Sequence, residues 1–190
     1  RPSQGTMASA VADALSDGHK LVVEAGTGTG KTLAYLLPAL RSGLKVVVST
    51  GTRNLQEQIL RKDVPLLERL IGRKPRVVAL KGLSNYLCLR RTEEAQGSLA
   101  LVQDGGLARI RTWAATSPVG DRAELDLPED SHLWREVCAT TETRIGPTCP
   151  YYEPCFVTRA RRAAAEAEMV VVNHHLFFAD LALRSRYPGA

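Results

Sequence analysis

Eight consecutive residues, Ala25-Gly26-Thr27-Gly28-Thr29-Gly30-Lys31-Thr32, limit what this chain can fold into more than any other stretch. Before them stands the short apolar run Leu21-Val22-Val23, and after them Leu33-Ala34-Tyr35-Leu36-Leu37. The order reads as strand, glycine loop, helix. Glycines let consecutive backbone N–H groups turn inward on an anion, and a helix beginning at Lys31 adds the positive end of its dipole. In that arrangement the Lys31 ammonium sits between the β- and γ-phosphates of a nucleotide, and the Thr32 hydroxyl ligates Mg²⁺. Lys31 and Thr32 are therefore the candidate catalytic pair, and the whole loop from Ala25 to Thr32 is the candidate nucleotide cradle.

The rest of the chain sets that loop in an α/β rhythm. Lys20 to Ala25, Val46-Val47-Val48, Arg76 to Leu80 and Met169 to Val172 are read as strands. Thr52 to Leu70, broken near Pro65, and Arg159 to Glu168 are read as helices. Continuous Val-rich strands alternating with helices imply a parallel sheet covered on both faces. Between Gly82 and about Phe156 the rhythm stops. That stretch has no β-branched run, holds the acidic segment Asp121 to Glu136, and contains all four cysteines. It is read as a mostly helical insertion in the α/β lobe, with Trp113 and Trp134 filling a small core of its own.

A loop of this kind also needs an acid at the end of a later strand to hold Mg²⁺ and orient water. Leu176-Phe177-Phe178-Ala179-Asp180 is the formal candidate, but it continues into Leu181-Ala182-Leu183 and reads as helix. The expectation is half of an ATPase site, with the catalytic acid outside this sequence.

Composition narrows the class further. The 190 residues carry 25 Lys and Arg against 20 Asp and Glu, a formal charge of +5. No apolar run approaches the ~18 residues of a membrane span, and the N-terminus lacks a signal-peptide layout, so a cytoplasmic protein is expected. Four cysteines are too few for a disulfide scaffold of this length. Basic residues gather at Arg73, Lys74, Arg76, Lys81, Arg90 and Arg91, a stretch without an acid, which suits either a phosphate backbone or an ordinary solvated face.

Taken together the motifs resemble those of the DinG/XPD-like iron–sulfur DNA helicases of superfamily 2, the DinG branch in particular. Arg1-Pro2-Ser3-Gln4 with Met7 resembles that family's Q-motif, whose glutamine, here Gln4, reads the adenine edge. Val48-Ser49-Thr50-Gly51-Thr52 with Leu55-Gln56-Glu57-Gln58 resembles its DNA-backbone motif, and Lys81-Gly82-Leu83-Ser84-Asn85-Tyr86-Leu87-Cys88 the stretch carrying the first cluster cysteine. Val171-Val172-Asn173-His174-His175-Leu176 resembles the segment just ahead of the family's Asp-Glu-Ala-His box.

The resemblance implies a RecA-like first motor lobe in two parts, residues 1–81 and 159–190, around an iron–sulfur insertion at 82–158. It implies ATP-driven 5′-to-3′ DNA unwinding by a monomer, in DNA repair, with single-stranded DNA contacted through Thr50, Thr52, Gln56, Lys81, Asn85 and Tyr86. Because the sequence stops before the acidic box and the second motor lobe, this chain alone is expected not to turn ATP over.

The cysteines are more open. Cys88, Cys138, Cys149 and Cys155 are the candidate ligands of a 4Fe-4S cluster, and no C-x-x-C pair supports zinc. Arg144 stands where the family carries a cysteine, so Cys138 completes the set only if the intervening loop is remodelled; zinc and free thiols are the alternatives. His174 and His175, if they extend a strand, point to opposite sides and make a poor metal pair. Two other classes compete: another P-loop enzyme, such as a small-molecule kinase with a zinc-stabilised lid, and a non-catalytic nucleic-acid-binding module.

Overall fold

A computed structural model describes residues 2–26, 28–95, 105–128 and 130–187. Its internal contacts divide the chain into two compact units, Arg1–Leu80 with Ala164–Ala190, and Lys81–Ala163.

The first unit is a mixed α/β lobe. Helix α1 (Pro2–Asp17) packs on α2 (Lys31–Arg41), followed by β1 (Val46–Thr50), α3 (Arg53–Gln58), α4 (Val64–Ile71) and β2 (Val77–Ala79). The chain returns at β3 (Met169–Asn173), capped by α9 (His174–Arg186). The three strands are parallel in the order β1-β3-β2, with Val46 and Val77 both opposite Met169 and with Thr50 opposite Asn173. β3 is thus the centre of the sheet, although it is the last strand to be made.

Its sequence shows why it can be central. Met169 and Val171 pack on one face with Leu36, Leu40, Ile59 and Leu67, while Val170 and Val172 pack on the other with Ala164, Ala167 and Phe177. Only a strand apolar at every position satisfies both faces. Its entry is tied down by Glu168. That carboxylate takes two hydrogen bonds from the Arg73 guanidinium, at 3.0 and 2.6 Å, and one from the Arg76 backbone N–H at 2.8 Å. These donors, the Arg73 guanidinium first, hold the Glu168 carboxyl down at about 2.

Two sequence expectations are corrected here. Lys20 to Ala25 is not a strand: it makes no ladder, and Val22 is 96% exposed. β-branched composition suits a pleated surface but does not supply pairing partners, and none of the described strands lies alongside this run. The helix after β1 is not broken at Pro65. It runs through a π-helical stretch, Ile59–Asp63, and Pro65 then falls in the first turn of α4, where its missing N–H leaves no bond unmade.

Among its described residues the second unit has no sheet. It is built from α5 (Leu89–Glu94), α6 (Gly106–Thr116), α7 (His132–Val137), the start of α8 (Phe156–Glu166) and three short 3₁₀ turns, Leu83–Asn85, Arg122–Glu124 and Gly146–Thr148. Trp134 is its centre, 1% exposed, among Leu87, Ile110, Val137, Phe156 and Val157. Its indole N–H donates to the Ser84 carbonyl at 2.8 Å, and its ring meets Trp113 edge-on at 6.3 Å. Two isolated antiparallel bridges, Tyr86 with Asp121 and Leu87 with Cys138, stitch the extended segments together. Gly120 is left-handed at φ 64°, and a side chain there would run into the Phe156 ring.

Candidate functional site

The glycine loop enters α2 through Gly30, whose φ of 81° only glycine adopts without strain and whose missing Cβ leaves room for Gln4. Gly28 is left-handed as well, at φ 73°. Thr27 lies outside the described residues. The loop is curled by its own bonds: the Thr29 hydroxyl donates to the Gly26 carbonyl at 2.9 Å, and Lys31 Nζ donates to the carbonyls of Ala25 at 2.6 Å and Gly26 at 3.0 Å. The Lys31 ammonium is thus folded over the loop, at the N-terminal end of α2 where unsatisfied N–H groups and the helix dipole favour an anion. Thr32 lies in the first turn of α2. Gln4 reaches across from α1 and donates to the Gly30 carbonyl at 3.2 Å, so the side chain expected to read adenine stands against the phosphate loop. The fold therefore gathers Gln4, Ala25, Gly26, Gly28, Thr29, Gly30, Lys31 and Thr32 in one place, a cradle of main-chain donors with one cation and one hydroxyl.

The expected DNA contacts fare differently. Gln56 is fully buried, and its amide donates to the carbonyls of Val171 at 2.8 Å and Leu80 at 3.4 Å; it locks α3 to the sheet and cannot reach a phosphate. Thr50, 3% exposed, spends its hydroxyl on the Thr52 and Val172 carbonyls. Lys81 is buried in an ion pair with Asp121 at 2.5 Å, and Tyr86, 3% exposed, accepts the Lys81 backbone N–H at 3.0 Å. Burial raises the Tyr86 hydroxyl above its ordinary range. These four are corrected from DNA ligands to framework: a polar side chain that sits next to a strand end competes for backbone carbonyls as readily as for a ligand. Thr52 remains at the surface as the N-cap of α3, taking the Leu55 N–H at 3.2 Å, and Asn85 donates to the Gly82 carbonyl at 3.0 Å.

The histidines are corrected too. Asn173 ends β3 by capping α9, its side chain taking the Leu176 N–H at 2.7 Å, so His174 and His175 begin a helix. His174 Nδ1 meets the Ser49 hydroxyl at 2.7 Å, which joins the C-terminal ends of β1 and β3. The sequence reading passed over Ser49, and only the parallel register brings it to His174.

All four cysteines lie in the second unit and none is in a disulfide. Cys88 follows the strand-like pair with Cys138, its N–H donating to the Val137 carbonyl at 2.8 Å. Cys138 is 5% exposed inside the Trp134 core, its Sγ turned to the Arg135 carbonyl at 3.7 Å, and burial pushes its thiol up. Cys88, Cys149 and Cys155 are half-buried. Among the described residues no three His, Cys, Asp or Glu side chains already stand together as a metal site. Two orphaned donors nevertheless fit a sulfur-rich anion. Arg90 bonds Glu94 and the Thr143 carbonyl but leaves its buried Nε unpartnered, and Arg144 next along leaves its buried Nη1 unpartnered. Arg90 lies above the ordinary guanidinium value, the Glu94 hydrogen bond first and the nearby Cys88 and Cys149 after it. Unpartnered donors can hydrogen-bond the sulfurs of an iron–sulfur group, whose ligands in this unit would be the cysteines.

With this geometry in view, the class is clear from comparison. Residues 6–96 match the DEAD/DEAH box helicase family. Three relatives align over 97% of the chain. They are the ATP-dependent DNA helicase YoaA of Haemophilus influenzae, 43% identical over 190 residues, the ATP-dependent DNA helicase YoaA of Escherichia coli, 44% identical over 188, and the ATP-dependent helicase DinG of Mycobacterium tuberculosis, 39% identical over 210. The chain spans 29 to 32% of the length of these relatives. No helix among the described residues is long and apolar enough to cross a membrane.

Proposed function

We propose that this chain is the nucleotide-binding part of an ATP-dependent DNA helicase of the DinG and YoaA kind, which binds ATP·Mg²⁺ and single-stranded DNA and moves 5′ to 3′. The observation that carries the reading is the loop itself: two left-handed glycines, then Lys31 and Thr32 at the start of α2, inside the residues that match the DEAD/DEAH box helicase family. In this reading Lys31 exchanges the Ala25 and Gly26 carbonyls for the β- and γ-phosphates, and the Thr32 hydroxyl takes Mg²⁺. For this chain on its own the proposal is nucleotide binding without turnover. It acts as a monomer in the cytoplasm. The second unit carries a 4Fe-4S cluster, which when bound ties that unit's loops together. Thr52, Asn85 and the outward Lys74 are the surface groups left for the DNA.

Titration with a fluorescent ATP analogue and Mg²⁺ tests the reading. Wild-type chain should bind, and Lys31→Ala should bind about 30- to 100-fold more weakly, since one charge-assisted contact contributes about 2–3 kcal/mol. Equal affinity for the two would remove the loop from the site. DNA-stimulated ATP hydrolysis by the isolated chain would overturn binding without turnover.

A further inference from the structure

We infer that the exposed rings of His174 and Phe178, on α9 where β1 and β3 end, form a stacking platform for the bases of single-stranded DNA. The inference rests on the DNA-binding reading above, and adds a contact to bases where that reading has only polar groups suited to the backbone.

Phe178 poses the question. It is 59% exposed, although its neighbour Phe177 packs against Val170 and Val172 of β3. The two phenyl rings meet edge-on at 5.5 Å, so the packed ring holds the exposed one in place. His174, also exposed, stands one helical turn earlier on the same side of α9. Its ring lies 6.1 Å from that of Phe178 and is tilted by 55°, so the two form a corner and are not stacked on one another. His174 is fixed in turn. Its Nδ1 is 2.7 Å from Ser49 Oγ, and its edge passes Gly51, where a Cβ would lie 3.7 Å from Cδ2 and Nε2. Rings held this way have lost much of their rotamer freedom before a ligand arrives, which lowers the cost of binding.

The surroundings select the ligand. The rings lie at the C-terminal ends of parallel strands, the edge at which open α/β sheets place their ligands. Just beyond Gly51, Thr52 and Arg53 are exposed and supply a hydroxyl and a cation for a phosphate. The one acid of α9, Asp180, is paired with Arg184 at 2.6 Å. Aromatic faces beside phosphate-binding groups suit a strand whose bases are unpaired, because in a duplex those bases are already stacked on each other.

Fluorescence anisotropy with a labelled oligothymidylate, and with the same backbone made abasic, tests this on the intact chain. Phe178→Ala should weaken oligothymidylate binding about tenfold, and His174→Ala about fivefold. Ser49→Ala, which frees the imidazole, should cost about twofold. Phe178→Trp should match or exceed wild type, and Phe178→Leu, apolar but without a ring face, should resemble Phe178→Ala. The abasic probe should bind wild type and Phe178→Ala with equal affinity, and Phe178→Ala should keep the wild-type salt dependence, because no phosphate contact is lost.

Wild-type affinity in both ring variants, with wild type binding the oligonucleotide, would overturn the inference and leave the DNA reading standing. So would wild-type affinity in Phe178→Leu, or an equal loss on the abasic probe, either of which assigns the ring to apolar packing. Should Phe178→Ala not fold, Phe178→Trp decides alone: oligothymidylate should quench its added fluorescence and the abasic probe should not, and absence of quenching overturns the inference. A wild-type chain that binds no oligothymidylate would refute the DNA reading, and this inference with it.

Discussion

The two units are stabilised in different ways, and the difference decides what can be read from sequence. In the α/β unit, order comes from three parallel strands in register, each apolar run locked to the next by backbone bonds, with the Arg73–Glu168 pair at the strand entry. In the cysteine-bearing unit the helices are short and the backbone pairs at only two isolated bridges. Its order comes from one tryptophan, one buried ion pair and side chains bonded to carbonyls far along the chain, as when Arg91 reaches Arg135 and Cys138. A sheet distributes its stability over many equivalent positions. A unit built on a few anchors concentrates it, and is correspondingly vulnerable at each.

The sharpest way to break the comparison is Trp134→Ala. It removes a side chain 1% exposed together with its bond to the Ser84 carbonyl, for a cost of about 3–5 kcal/mol. Near-ultraviolet circular dichroism and limited proteolysis should report loss of residues 81–163 as an ordered unit, while binding of the ATP analogue by the α/β unit persists. Simultaneous loss of both would show that the units do not hold their structure separately.

Next in size is Asp121→Ala. Lys81 and Asp121 side chains are 7% and 14% exposed, so removing one partner strands a buried charge, at roughly 3–5 kcal/mol. The double variant Lys81→Met, Asp121→Leu should recover most of that loss in a urea melt, because no charge is left unpaired. If the double variant is as unstable as the single, the pair matters through more than its charges.

The smallest effect tests the α/β unit's charge anchor. The folded-state Glu168 carboxyl lies at about 2, below its ordinary value near 4.5. Its contribution is therefore complete above the ordinary carboxylate range and is lost as pH falls from about 4.5 toward 2. Glu168→Gln should be slightly less stable at neutral pH, and the difference should shrink over that window. Because Arg73 is half exposed, the difference at neutral pH stays within the range of a partly screened surface pair. A gap that stays constant down to pH 2 would locate the effect in packing.

Particular residues show how much was legible. Val46 to Val48 and Leu21 to Val23 are nearly the same sequence signal, yet the first is β1 and the second is unpaired chain with Val22 in solvent. Composition reports that a segment suits a strand, and pairing depends on what stands beside it. The turn at Gly28 and Gly30 into α2 at Lys31 was legible because such a loop is a local object, built from neighbours in sequence. Gln56, Thr50, Lys81 and Tyr86 were not, because each is polar and near a motif, and only their buried partners, the Val171 and Val172 carbonyls, the Asp121 carboxylate and the Lys81 N–H, separate framework from ligand. Cys138 is the same case in sulfur: its count and spacing suggest a ligand, its surroundings a core residue.

By itself, then, the sequence determined the glycine loop, the apolar runs that become β1, β2 and β3, and the interruption that carries the cysteines, since local backbone freedom and side-chain polarity are properties of neighbouring residues. The tertiary structure alone decided that β3 lies between β1 and β2, that His174 meets Ser49, and that Arg90 and Arg144 are left with unpartnered N–H groups. Those outcomes depend on which distant segments compete for the same carbonyls and the same buried volume, a competition that the folded chain resolves and no local pattern encodes.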